Sequence, residues 1–484
     1  MTGPNVVVAV LDTARGRDAV PAAAAPMPEL AAIAQEGAEF TDAFSTAPWT
    51  VPSHASLFTG TYPSRHGTGG HSPRLDGSLP TLPAAFRDAG YETVGLSNNT
   101  WITGVFGFDR GFDRFRKGWQ YIQSATDVGG VVRAEGTAEK FRAARDCLFD
   151  GNPAVNAANL LFAELAGDDG AERTTRWVER WLAGREARSP FFLFLNYIEP
   201  HVEYDPPREY AEPFLPEGAT YEEAASVRQD PRAFDVGEYS LSDRDFELLQ
   251  ALYRGELAAL DDHLGRIRDA LVAAGEWEDT VFLVVGDHGE NIGDHGFFGH
   301  QYDLHDTLLH VPLVISGGAF PADGRRDDLV QHVDLVPTLL DAAGLDAPAL
   351  REANQGCSVH PDADAPDRDA VFAEYLAPQP SPDALRERFG DIPGRVERFD
   401  RTLRAVRTRE EKYVRGSDGT EWFYRVGEDP RERSDLTDGS RGAATALSVR
   451  LDEWLDSFER ADTDGGDVSM TAGTRERLAD LGYL

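Results

Sequence analysis

Apolar residues fall along this chain in short, almost unbroken runs, separated by stretches in which they recur every three or four positions. The runs "NVVVAVL" (5–11), "YETVGLS" (91–97), "FFLFLNY" (191–197), "TVFLVVG" (280–286) and "VPLVIS" (311–316) predict strands buried on both faces. The amphipathic stretches "MPELAAIAQEG" (27–37), "LPAAFRDAG" (82–90), "ERTTRWVERWLAG" (172–184) and 241–275 predict helices. Several of these stop at a glycine, and the last is long enough to be expected bent or interrupted. The alternation predicts an α/β protein with a mostly buried sheet.

Residues 119–171, rich in Ala, Gly and charge, read as loosely patterned helices inserted between strands, either shaping a substrate entrance or elaborating the surface. Beyond "LVQHVDLVPTLLDAAGLDAP" (329–348) the composition changes. "HPDADAPDRDA" (360–370) and "PQPSPD" (378–383) read as linker or surface loop. The β-like pieces "TLRAVRTREEKYVRG" and "TEWFYRVGEDP", followed by "ALSVRLDEWLDSFE", predict a small antiparallel sheet packed by a helix. The expected division is therefore a catalytic-size domain over 1–350 and a C-terminal subdomain over 351–484.

Charge changes the picture of partners. Against 47 Lys and Arg stand 83 Asp and Glu, for a net charge of −36, and only Lys117, Lys140 and Lys412 are lysines. Such a field repels nucleic acid and anionic lipid. The acids are scattered rather than gathered in a tail, which favours adaptation to concentrated salt, where a short Debye length screens self-repulsion, over an acidic surface built for a basic partner, which would more naturally be clustered. No run is long enough to span a membrane, and the first strand begins at Asn5, too early for a signal peptide, so a cytoplasmic location is expected. Cys147 and Cys357 lie far apart without CxxC spacing, suggesting neither a disulfide framework nor a thiolate metal site.

Two strands end in acids: "VVVAVLD" delivers Asp12, and "VFLVVGDHG" delivers Asp287 and His288. Ligands of open α/β sheets bind at the carboxyl ends of strands, so these three side chains can converge on one cation. In "TAPWTVPSHASLFTG" (46–60), Pro52 favours a helix start and puts Thr50 at or next to its N-cap. A hydroxyl there is either an ordinary cap or a nucleophile favoured by the helix dipole and a divalent metal. His201, after a strand in "NYIEPHVEYDPP", and His300, in the glycine-rich "ENIGDHGFFGH", read as functional. His263, His305, His310, His332 and His360 read as packing or surface residues, and His66, His71 and His295 are open.

With these residues in place, the chain resembles the sulfatases of the alkaline phosphatase superfamily. The segments "MPELAAIAQEGAEFTDAFSTAPWTVPSHASLFTGTYPSRHG", "GYETVGLSNNTWITGVFGFDRGFDRF", "FFLFLNYIEPH", "LYRGELAALDDHLGRI", "TVFLVVGDHGE", "HVPLVI", "VDLVPTLLDAAGL" and "EWFYRVGEDPRERSDL" follow in the family's order. The resemblance implies an alkaline-phosphatase-like three-layer sandwich with a large central mixed sheet, plus the small C-terminal antiparallel sheet with its helix. It departs at the signature, where sulfatases carry Cys or Ser, x, Pro, x, Arg, and oxidise the first residue to formylglycine. Here Thr50, Val51, Pro52, Ser53 and His54 stand in those places. Threonine would give a ketone rather than the aldehyde, so formylglycine is not expected, and the pattern is similar to the threonine-nucleophile branches such as nucleotide pyrophosphatase/phosphodiesterases and lipoteichoic acid synthase.

That likeness implies one divalent metal held by Asp12, Thr50, Asp287 and His288. An imidazole among carboxylates favours Mn or Zn over Ca or Mg. The further Asp-x-x-x-His element of the two-metal branch does not occur near "NYIEPH". His54, Asn99, His201 and His300 are then expected to contact the substrate, His300 where sulfatases place a lysine, with His201 also catalytic at the leaving oxygen. The leading expectation is a metal-dependent hydrolase or transferase of a small anionic phosphate ester with Thr50 as nucleophile. Its alternatives are a sulfuric ester hydrolase working without formylglycine, and an inactive protein that binds an anionic glycan or headgroup.

Overall fold

The structure, a computed structural model, describes residues 3–21, 25–120, 170–185, 189–364 and 368–461, with isolated positions 123, 152, 153, 155 and 159. The 119–171 insertion therefore lies almost wholly outside the described residues.

Eight strands form the main sheet: β1 (Asn5–Leu11), β2 (Gly37–Phe44), β3 (Glu92–Ser97), β4 (Arg114–Lys117), β5 (Phe191–Tyr197), β6 (Thr280–Gly286), β9 (His310–Ser316) and β10 (Gly324–Gln331). A two-residue ribbon, β7 (Asn291–Ile292) and β8 (Phe298–Gly299), stands apart from it. The order is β10-β2-β9-β6-β1-β5-β3-β4, with β9 antiparallel to both its neighbours and the other pairs parallel. The five predicted strands are all present. β2, β4 and β10 escaped prediction because their sequences, "GAEFTDAF", "RFRK" and "GRRDDLVQ", are polar at many positions. They lie toward the two margins of the sheet, where only part of each strand is buried.

Helices cover both faces: α1 (Pro28–Gln35), α2 (Thr50–Thr59), α3 (Leu82–Asp88), α4 (Ala171–Gly184), α5 (Asp243–Ala274) and α6 (His332–Ala342). Alternate residues of β1 divide between two apolar layers. Val6, Val8 and Val10 meet α2, α3 and α6, whereas Val7, Ala9 and Leu11 meet α1, α4 and α5. This is the three-layer alkaline-phosphatase-like sandwich, and the two-sided burial explains the unbroken apolar runs.

Contrary to expectation, 243–274 is one continuous helix. Ser242 and Asp245 close a capping box at its start, and Gly275, at φ 73°, ends it. Its internal glycines are contact points rather than breaks: a Cβ on Gly265 would meet Glu29 of α1.

The C-terminal antiparallel sheet runs β11 (Val371–Tyr375), β12 (Leu403–Arg407), β13 (Lys412–Gly416) and β14 (Glu421–Tyr424), packed by α7 (Arg441–Asp456). The "PQPSPD" segment is not loop throughout, since Ser381 caps a helix that begins at Pro382. Buried bonds tie the small sheet to the large one: Gln331 pairs with the Phe372 backbone, and the Glu374 amide donates to the Thr46 carbonyl.

Candidate active site

Register brings the acids together. β1 lies between β5 and β6, with Leu11 opposite both Tyr197 and Gly286, so Asp12 and Asp287 emerge side by side at the carboxyl edge. The Asp12 amide donates to the Tyr197 carbonyl, and Thr13, at φ 59°, turns its amide onto Asp287 Oδ1 at 3.1 Å. A threonine in the left-handed region is a strained backbone, here paired with the geometry of the site. The His288 amide donates to the same Oδ1 at 2.8 Å, which leaves Asp287 Oδ2 facing inward.

Ligand atoms of Asp12, Asp287 and His288 all lie within 4.8 Å of one another, and the three side chains are fully buried. Asp12 Oδ2 accepts from Asn99 Nδ2 at 2.6 Å, while Asp12 Oδ1 and Asp287 Oδ2 have no hydrogen-bond partner. His288 Nδ1 donates to the Gly289 carbonyl at 2.9 Å, a bond that fixes the neutral tautomer and turns the Nε2 lone pair toward Asp287 Oδ2 at 3.4 Å and Asp12 Oδ1 at 3.9 Å. Burial, then the Asp287 charge, pushes the Asp12 carboxyl well above its ordinary range, and burial pushes Asp287 up to about 8. Burial, together with the nearby His300, keeps His288 neutral. Two buried carboxylate oxygens and an imidazole lone pair converging in one place form a donor set that fits a divalent cation, because buried charge of one sign persists when it is paired or coordinated to a metal.

Thr50 completes the centre. It is the first residue of α2, after Trp49, and its Oγ1 lies 3.3 Å from His288 Nε2. No cap bond is made by its hydroxyl; Pro52 falls in the first turn. The helix is pinned to the strand end by Ser53, whose hydroxyl donates to the Asp287 carbonyl and lies 3.1 Å from His332 Nδ1. His332 in turn donates to the Gly286 carbonyl at 2.9 Å. Gly289 is required for close approach, since a Cβ there would meet the Thr307 carbonyl.

The expected substrate contacts separate into two groups. Asn99 grips Asp12 and accepts from the Trp101 amide at 2.9 Å, and His54 lies beneath the centre with both ring nitrogens engaged. His54 Nδ1 donates to the Thr50 carbonyl at 2.9 Å, and Nε2 accepts from Asn196 at 3.3 Å. Its ring sits among Phe108 and Phe194, and burial holds it down at about 3. Both side chains thus contact groups of the protein itself in this structure. His300 and His201, by contrast, form a wall beside His288, with ring centroids 4.6 Å apart for His288–His300 and 5.0 Å for His300–His201.

Sequence reasoning missed Glu290, on which the charges of the buried Arg232 and Arg15 act. The fully buried Glu290 carboxylate accepts from His300 Nδ1 at 3.1 Å, and burial pushes it up to about 7. Its place two residues past His288, in "DHGE", was the available signal.

Comparison with known proteins adds the context. The sulfatase family model matches residues 4–345, and that of the N-sulphoglucosamine sulphohydrolase C-terminal region matches 293–457. An arylsulfatase of Clostridium perfringens is 24% identical over 492 residues, covering 96% of each chain. A choline-sulfatase of Rhizobium meliloti is 24% identical, covering 95% of this chain and 88% of its own. The crystal structure of a phosphonate monoester hydrolase of Agrobacterium radiobacter superposes with a TM-score of 0.65 at 23% identity, covering 94% of this chain and 95% of that one. A 2-O GAG sulfatase superposes with a TM-score of 0.65 at 20% identity, covering 95% of each.

Proposed function

The chain belongs to the sulfatase family, and from that premise we propose that it is a metal-dependent hydrolase of phosphate esters whose nucleophile is Thr50. The observation that carries the reading is the approach of Thr50 Oγ1 to His288 Nε2, 3.3 Å, beside two unpartnered carboxylate oxygens. Asp12, Asp287, His288 and Thr50 would hold one divalent ion, Mn or Zn by its imidazole ligand, which when bound supplies positive charge at the nucleophile and the substrate's oxygens.

The chain's own residues then divide the work. Thr50 Oγ1 attacks phosphorus, an O–P bond forms as the bond to the leaving alcohol breaks, and water resolves the phosphothreonine. His201 and His300 stand beside His288, where they would contact the anionic group or the leaving oxygen of a bound ester. Asn99 holds Asp12 in place, and His54 orients the first turn of α2 from below. A threonine β-carbon bears a methyl group and cannot become the formylglycine aldehyde, and His54 stands where the signature arginine does; both features favour phosphoryl over sulfuryl chemistry. Transfer to an acceptor alcohol instead of water would use the same first step.

A sulfate ester hydrolase without formylglycine is the second reading, favoured by the sulfatases among the relatives. Release of 4-nitrophenol from its phosphate monoester, its phosphodiester and its sulfate, compared side by side with Mn2+ or Zn2+, separates the two. Molar salt belongs in the assay because the scattered charge of −36 fits a protein adapted to concentrated salt. Phosphate ester turnover that disappears in Thr50→Ala supports the proposal. Dominant sulfate release, or undiminished turnover by Thr50→Ala, overturns it.

A further inference from the structure

The turn that leaves β1 sets both carboxylates of the centre. Thr13 follows Asp12 directly and takes φ 59°, which lets its amide reach Asp287 Oδ1 at 3.1 Å, while its own hydroxyl makes no hydrogen bond. A β-branched residue keeps a left-handed backbone only where its surroundings over-determine it. Nothing in the threonine side chain supplies that constraint, so it comes from elsewhere.

A single phenol supplies it. Tyr253, fully buried in α5, donates its hydroxyl to the Thr13 carbonyl at 2.9 Å and accepts from the Arg15 amide at 2.8 Å. One oxygen therefore bonds the backbone on both sides of Ala14 and fixes the peptide groups that follow the strained residue. The ring is itself held in place, with the Arg15 guanidinium 4.5 Å from its centroid and the Tyr204 ring 5.5 Å away. Nearby on the same helix, Gln250 donates to the Ile292 carbonyl at 3.0 Å. Helix α5 thus grips the segments that follow both β1 and β6.

We propose that Tyr253 is a positioning residue for the metal centre, its hydroxyl holding Thr13 in the left-handed conformation and thereby setting the spacing of Asp12 and Asp287. It acts through the backbone of the turn and not on the ion. The proposal rests on Asp12, Asp287 and His288 being metal ligands.

The test is calorimetric titration of the chelated full-length protein with Mn2+ and, separately, with Zn2+. Tyr253→Phe keeps the ring against Arg15 and Tyr204 and removes only the hydroxyl. It should weaken metal binding by roughly tenfold to a hundredfold, the range for contacts that orient ligands from behind. Glycine takes a positive φ without strain, so in a Thr13→Gly background the loss caused by Tyr253→Phe should shrink to about threefold or less. Thermal unfolding of each chelated variant reads stability separately. A tyrosine that merely supports the fold would lower the melting temperature and leave metal affinity unmoved, and that result overturns the proposal. An equal loss of affinity with threonine or glycine at position 13 overturns it as well. Wild type that binds neither ion would remove the metal reading and the role of Tyr253 with it, whereas wild type and Tyr253→Phe that bind equally well would remove the role of Tyr253 alone.

Discussion

Two buried clusters of acid in this molecule resolve their charge in opposite ways. At the junction with the C-terminal sheet, Asp306 lies between Lys412, 2.7 Å away, and Arg407, 2.9 Å away, and Lys412 also meets Glu432 at 2.7 Å. Burial alone would raise Asp306, but Arg407 and Lys412 outweigh it and hold the carboxyl well below the usual range. At the carboxyl edge of β1 and β6, Asp12 and Asp287 are fully buried and both pushed up. The chain supplies the first cluster with its cations and leaves the second with inward oxygens and a neutral imidazole. One joins two sheets, and the other offers the donor set that the proposed function assigns to a divalent cation.

The contrast is broken most severely by exchanging the phenotypes of the two clusters. Asp287→Asn should lower turnover by on the order of a thousandfold or more while the metal-free protein unfolds no earlier than wild type, because a buried like charge has been removed. Equal losses of activity and melting temperature would mean that Asp287 is structural. Lys412→Met should do the reverse, costing about 3–5 kcal/mol in denaturant unfolding by stranding Asp306 and Glu432. Lys412→Met/Asp306→Asn should recover much of that loss.

A smaller effect sharpens the comparison through linkage. Mn2+ or Zn2+ at a hundred times its dissociation constant should stabilise wild type by about 2.7 kcal/mol, and Asp12→Asn by far less, as followed by thermal unfolding after chelation and refilling. Lys412 variants should keep the full increment, and its loss there would show that the two clusters are not separate.

The smallest effect is a pH slope. Asp287 in the chelated protein is raised to about 8 against an unfolded value of about 3.9. Its contribution to stability is therefore present below about pH 4 and lost as pH rises toward 8. Asp306 is lowered, so its contribution is present above the ordinary carboxylate range and lost as pH falls below it. Melting temperature in molar salt should accordingly fall from pH 5 to 8 in the chelated protein, and metal should flatten that slope. A slope unaffected by metal would remove Asp287 as its source.

What could be read along the chain was whatever depends on near neighbours. Strands buried on both faces announce themselves as unbroken apolar runs, and a polar residue that ends one, such as Asp12 or Asp287, is conspicuous. Thr50 was legible beside a proline that opens a helix, although its hydroxyl turned out to face His288 rather than a helix amide. Edge strands such as β10 were not legible, because a half-exposed strand of Arg and Asp looks like a loop. Nor was Lys412, whose neighbours in "REEKYVRG" suggest a surface while β13 turns it inward between two acids.

The sequence by itself determined the layer architecture, the strand ends that carry acids, and a threonine at the place where the resemblance puts the signature residue. Tertiary structure alone decided which of these meet. Asn99 reaches Asp12 across 87 positions, Ser53 pins Asp287 across 234, and Arg232 reaches Gln301 across 69. Such partnerships follow from the order in which strands join a sheet, and that order is set by burial summed over the whole chain, which no local run of residues encodes.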